Sequence, residues 1–207
     1  MTSDKMHNTN KIHAMFSIFG MIGPILIISS MLISIYLSEW WSFTGNALSD
    51  LGVDDKVGWL FNSGLVIGGF LILLFMSSFT LDIIKNRFIP EFPNRLSAKI
   101  GSLLICISSI PLMGVGLITE DAGMIHTYDA TAFYVLAMLG EIVIGYSLIN
   151  EKKYRLLGIF SVISAVIGFG VWALPWEGIA IPEIIGAVPV FTIVIIFATL
   201  RYNANTL

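Results

Sequence analysis

The stretch Asn46-Ala-Leu-Ser-Asp-Leu-Gly52 places an amide, a hydroxyl and a carboxylate close together. Leu48 and Leu51 are three apart, which lays both on one side of a short helix. With the leucines down at the membrane surface, Ser49 or Asp50 faces a cavity between neighbouring segments. The same residues also make a capped re-entrant turn that satisfies its own backbone, because Asn, Ser and Asp side chains bond locally. His126 is the only histidine outside the N-terminal tail and sits among Glu120, Asp121 and Asp129. A histidine beside carboxylates serves as a general base or a metal ligand. Equally, it caps the helix that follows and pairs with a nearby carboxylate. A single histidine here excludes a multi-histidine zinc centre and counts against the zinc-dependent ceramidase-like hydrolases. A hard cation on Asp50, Glu120, Asp121 and Asp129 is chemically allowed. No Gly-rich phosphate loop, CxxC or HExxH occurs, and neither a metal nor a cofactor is expected.

Glu141 is a carboxylate in the middle of an apolar run. Such a group is costly in lipid, by at least about 2.5 kcal/mol when charged, so it should face the interior of a bundle. It continues a stripe at helical spacing: Thr127, Thr131, Tyr134, Met138, Glu141, Gly145. Ser102, Cys106, Ser109, Met113 and Gly116 form a second stripe, and Ser161, Ser164, Gly168 and Trp172 a third. One reading is close packing, since small and hydroxyl residues let membrane helices approach. The other is a polar cavity with a titratable acid, fit for proton-coupled transport or for a lipid head group. Glu183 stands in the first turn of the last apolar run, where a helix N-terminus favours an acid. Pro175 and Pro182 shape the turn before it. Gly64 and Gly68 read as a packing notch, and Pro24, Pro111 and Pro189 as sites of helix kinks.

These residues are carried by six apolar runs, at about 14–37, 58–84, 97–119, 127–150, 156–175 and 179–200. Each is near or above the ~20 residues a helix needs to cross the hydrocarbon core. The chain is 56% hydrophobic and 12% charged, with a mean hydropathy of +0.87. The first run is too long for a signal peptide and is expected to be retained as a span. Ten of the eleven Lys/Arg fall in the N-terminal tail, in or within a few residues of the second and fourth gaps, and at the C-terminal end. Nine of the fourteen Asp/Glu fall in the other gaps or within a few residues of them, where Lys56 is the only base. Alternation of this kind orients a polytopic membrane protein with its basic side inward. All five tryptophans map to the opposite ends, where indoles prefer the interface. The expected fold is therefore all-α, a six-transmembrane-helix bundle with both termini cytoplasmic. Residues 1–13 and 202–207 are expected to be its tails. An acidic outer face argues against nucleic acid as a partner. The single Cys106 rules out an intramolecular disulfide.

Asn46-Ala-Leu-Ser-Asp-Leu-Gly52 after the first run, Asn62-Ser-Gly64 opening the second, and His126 ahead of the fourth resemble the six-span membrane family catalogued as domain of unknown function 998. The resemblance covers nearly the whole chain and implies a six-helix fold, without an agreed activity. A remoter similarity to the Frag/autophagy-modulator/Sfk group of six-span proteins implies lipid-related roles.

The residues converge on an outward-facing polar pocket in a cell-membrane protein. Its expected ligand-binding residues are Asn46, Ser49, Asp50 and Asn62 from the first outer gap. His126, Asp129, Tyr134, Glu141 and Glu183 complete the set. The leading expectation is binding or movement of a small amphiphilic molecule, with membrane lipids as partners and a homo-oligomer as a further state. A second is a membrane-embedded hydrolase with Ser49, Asp50 and His126 as candidate catalytic residues, with either serine or aspartate within about one water of the histidine. A third is a structural or regulatory membrane protein without a ligand site.

Overall fold

The computed structural model describes residues 3–85 and 95–206. Arg87 and Glu91 lie outside these residues, and the side chains of Asp4, Lys5 and Arg95 are likewise outside the description. Six α-helices and two short 3₁₀ turns make up the described chain, with no strand. The helices are α1 (Ser3–Leu37), α2 (Gly58–Ile84), α3 (Arg95–Leu117), α4 (Met124–Ile149), α5 (Arg155–Val171) and α6 (Ala180–Thr206). Five are long and apolar enough to cross a membrane, and α5 is a shorter apolar helix. The chain is thus a polytopic membrane bundle.

Each helix packs on its neighbours in the chain, and α6 closes the ring against α1. Phe75 and Phe79 of α2 and Phe197 of α6 are buried at its centre, with Phe79 and Phe197 stacked at 5.1 Å. Small residues set the closest approaches, as expected where lipid offers no hydrophobic drive between helices. A Cβ on Gly68 of α2 would fall 2.7 Å from Gly23 O of α1. One on Gly101 of α3 would fall 2.8 Å from Gly140 O of α4. The Gly64/Gly68 pair is therefore a packing notch.

Helix ends depart from the hydropathy reading in two ways. First, the segments expected as tails are helical: α1 begins at Ser3, and α6 continues to Thr206. Polar residues prolong a helix as readily as they form a tail once its apolar body is anchored. Second, α5 ends at Val171 rather than near Pro175. Ala173 and Leu174 are apolar, but their N–H groups bond Gly170 O and Val171 O in tight turns ahead of Pro175. The residue before a proline resists the helical conformation.

That early stop shapes the molecule. Both α4 and α5 reach the connection at 150–154. Yet α5 has 17 residues against 26 for α4. At 1.5 Å per residue α5 falls about 13 Å short of its partner at the other end. The charge pattern leads one to expect this tryptophan-bearing end to face outward, and the two ends are named outer and inner in that sense. Residues 172–179 cross the gap instead of a sixth helical wall.

Candidate functional site

The outer loop 38–57 lies across the mouth of the bundle and is tied down at several points. Gly178 N donates to Thr44 O at 2.8 Å and Ala180 N donates to Asn46 O at 2.9 Å. Trp41 Nε1 donates to Ala47 O at 2.8 Å. A 3₁₀ turn, Ser49–Val53, follows, with Leu51 fully buried and Leu48 nearly so. The leucines-down helix read from the spacing is this turn. Asn62 of α2 pins it by donating to Gly52 O at 2.8 Å, so Asn62 holds the loop and does not line the cavity. Asn46 and Asp50 close the local turn: Asn46 Nδ2 and Ala47 N donate to Asp50 Oδ2 at 2.8 and 3.0 Å.

Across the mouth, Gly123 adopts a left-handed φ of 64° between the second 3₁₀ turn (Glu120–Ala122) and α4. Glycine meets that conformation without strain. The reversal sets Glu120 against the first turn. Its carboxyl pairs with the side chains of Asp50 and Ser49. Burial, the hydrogen bond and the negative charge of Asp50 push Glu120 up to about 7. Burial alone would raise Asp50 too, but hydrogen bonds from Glu120, Asn46 and Ala47 outweigh it and hold Asp50 below its usual value. Two facing carboxyls cannot both ionise freely, so the pair shares a proton between pH 4 and 7.

Between this pair and the short end of α5 lies a cavity of about 480 Å3. Ser49, Glu120, His126 and Glu183 supply its polar wall. Tyr134, Trp172, Met138, Phe169 and Ile179 supply its apolar one. The α4 stripe faces it as far as Met138, through Thr127, Thr131 and Tyr134. A smaller void of about 50 Å3 continues into the core among Leu65, Leu112 and Phe191, sharing Ser49, Tyr134 and Glu183 with the larger one.

Three of the lining groups keep open hydrogen-bonding atoms. Glu183 is 5% exposed; its Oε2 accepts from Leu48 N at 2.6 Å, and its Oε1 makes no hydrogen bond among the described residues. His126 is buried, with Nδ1 2.6 Å from Ile118 O. A carbonyl only accepts, so Nδ1 carries a proton, and in the neutral ring Nε2 is an acceptor. Tyr134 packs its ring 5.2 Å from that of Trp172, and its hydroxyl likewise has no hydrogen bond among the described residues.

Other expected residues sit elsewhere. His126 takes a backbone carbonyl, not a carboxylate, as its partner. Ser49 shares the cavity wall with it, while Asp50 is engaged by Asn46, Ala47 and Glu120. Asp129 points at α3, where a Cβ on Gly114 would meet its carboxylate. Glu141 is fully buried one turn beyond Met138, accepting from Ser164 Oγ of α5 at 2.9 Å, outside the cavity. Among the described residues no group of three or more His, Cys, Asp or Glu stands where it would hold a metal ion.

A second polar cluster, at the inner end, was not foreseen. Arg201 of α6 is fully buried and donates from Nη2 to Asp82 Oδ2 at 2.5 Å and to Ser78 Oγ at 2.7 Å, both on α2. His13 Nδ1 of α1 lies 2.5 Å from Arg201 Nη2 and 3.2 Å from Asp82 Oδ2. In the sequence Arg201 is the base at the C-terminal end and Asp82 is an acid inside the second apolar run, 58–84. A charge inside or directly against an apolar run is the signal that it needs a buried partner.

No curated protein and no solved structure matches the chain. The model of the family described as "Protein of unknown function (DUF998)" matches residues 21–200, which contain every residue of the outer cavity. On that match over most of its length, the chain belongs to the DUF998 family.

Proposed function

We propose that this protein, seated in the cell membrane with both termini cytoplasmic, binds a small amphiphilic molecule in its outer cavity. The observation that carries the reading is the cavity itself: about 480 Å3, polar at the loop side and apolar toward α5. Small-molecule sites are mostly apolar concavities of ~300–1,000 Å3 with a few converging polar groups. Binding is better supported than passage, because the cavity stops at Met138 and the next acid down α4, Glu141, is sealed against Ser164. The hydrolase reading draws less support. Ser49 pairs with Glu120, and His126 uses Nδ1 on a backbone carbonyl.

The test is native mass spectrometry of protein extracted in mild detergent. A retained small amphiphile is expected in the wild type. Thr131→Trp, which fills the cavity from an exposed wall position, should remove it. Equal retention in both proteins, or none in either, refutes the pocket.

A further inference from the structure

We infer that the outer cavity selects amphiphiles whose head group is a primary ammonium. The inference deepens, and rests on, the ligand-binding reading of the same cavity.

Charge comes first. Glu120 and Glu183 line the cavity and Asp50 backs it, while no Lys or Arg lines it. Lys56, the only base in the outer gaps, is engaged elsewhere, donating to Leu37 O at 3.2 Å. An anionic head group would meet acids on two sides with no counter-charge. Like charge set against like in a partly desolvated site is strongly disfavoured.

Hydrogen-bonding capacity comes second. Glu183 Oε1, His126 Nε2 and the Tyr134 oxygen are acceptors left open in one cavity. A buried carboxylate oxygen without a donor is costly unless a ligand or water supplies one. A primary ammonium carries three N–H donors and no acceptor, so its demand matches that set. A quaternary ammonium has the charge without the donors. A hydroxyl head has one donor and no charge.

The rings come third. The Tyr134–Trp172 pair presents aromatic surface beside the acids, and aromatic faces attract organic cations. A hydrated metal ion would be poorly served by rings and a Met138/Phe169 floor, whereas the apolar part of an amphiphile fits there.

The experiment uses full-length protein in phosphatidylcholine nanodiscs and four probes of one chain length: hexylammonium, hexyltrimethylammonium, hexanol and hexanoate. Saturable change in tryptophan fluorescence is read against empty nanodiscs, and Trp172→Phe identifies the reporting ring. Hexylammonium is expected to bind tightest. Glu183→Gln keeps an acceptor for Leu48 N but cannot ionise against a bound cation, and should weaken hexylammonium about tenfold or more while leaving hexanol within about twofold. Should Glu183→Gln fail to fold, Tyr134→Phe is expected to act in the same direction. Equal binding of hexylammonium and hexyltrimethylammonium overturns the three-donor assignment. Binding of hexanol or hexanoate as tight as hexylammonium overturns the ammonium assignment but leaves the cavity as a binding site. No saturable binding by any probe overturns both.

Discussion

The two ends of this bundle treat buried charge in opposite ways. At the inner end Arg201, Asp82, His13 and Ser78 close on one another across α1, α2 and α6, and the guanidinium lies 5.9 Å from the Phe75 ring centre. Opposite charges meet there. At the outer end Asp50, Glu120 and Glu183 have one sign, and they border about 480 Å3 of space. Opposite charges that find each other become a clasp, whose loss of one partner is expensive. Like charges held together by a loop remain unsatisfied and call for a proton, solvent or a cation. The inner cluster is read as structure and the outer one as a site on this ground, not on residue type, since both contain carboxylate, histidine and hydroxyl.

The contrast depends on the two ends facing opposite sides of the membrane, and that is the all-or-none test. Cysteines placed at exposed Asp55 and exposed Lys153, in a Cys106→Ser background, should react with an impermeant thiol reagent from outside and inside respectively. Reaction from one side only would break the assignment of outer and inner.

The next largest effect is expected at the clasp. Arg201→Ala leaves Asp82 buried beside His13 without its main counter-charge, and should cost about 3–5 kcal/mol of stability. Replacing both partners, as Arg201→Met with Asp82→Leu, should recover most of the loss, because an apolar pair of similar volume avoids the desolvation of two ions. Reversible unfolding in mixed micelles measures both. A double variant as unstable as the single one would show that the cluster does more than hold α2 to α6.

A smaller effect is expected at the mouth. Glu120 is raised to about 7 in the fold from an ordinary 4.5, so the folded protein holds its proton where the unfolded chain has lost it. Stability is therefore fullest below about 4.5 and falls as pH climbs to about 7, then levels off. The groups facing Glu120 are Asp50 and Ser49 from the loop, His126 and Thr127 from α4, and Glu183 from α6. Glu120→Gln should flatten the decline between pH 5 and 7. At pH 8 it should raise stability, by less than about 1 kcal/mol given the partial solvent access of the site. Thermal unfolding at several pH values follows this, and an unchanged slope would assign the decline to another group. The same ionisation should strengthen hexylammonium binding as pH rises through 7.

Much of the frame was legible in the residues. A run of apolar residues must become a helix in lipid, because no other element satisfies its own backbone there. That is why α2 spans Gly58–Ile84, the same residues as the second apolar run. The α4 stripe was legible too, as helical spacing puts Thr127, Thr131, Tyr134 and Met138 on one side. What the stripe faces was not legible. Its outer half lines a cavity only because α5 stops at Val171, and hydropathy does not register a stop inside an apolar segment. Nor does spacing pair Asp50 with Glu120, 70 residues on, or His13 with Arg201, 188 residues apart. Such pairings belong to the closing of the helical ring, which no local pattern encodes.

The smallest effect is expected at Glu141, which separates the two halves of that stripe. It is fully buried, and Ser164 Oγ lies 2.9 Å from its Oε1, 2.7 Å from Phe160 O and 3.2 Å from Ser161 O. A hydroxyl has one proton to give, so Ser164 satisfies only one of these acceptors at a time. Glutamine offers both an acceptor and a donor to the same hydroxyl and nearly the same volume. Glu141→Gln is therefore expected to change stability by less than about 1 kcal/mol, within the range of a replacement that opens no cavity and strands no charge. It should also leave hexylammonium binding within about twofold, because Met138 stands between Glu141 and the cavity. Unfolding and fluorescence titration of one variant decide the matter. A folded Glu141→Gln protein that no longer binds would extend the site one turn down α4. It would also make the stripe a single functional surface, with the outer cavity as its entrance.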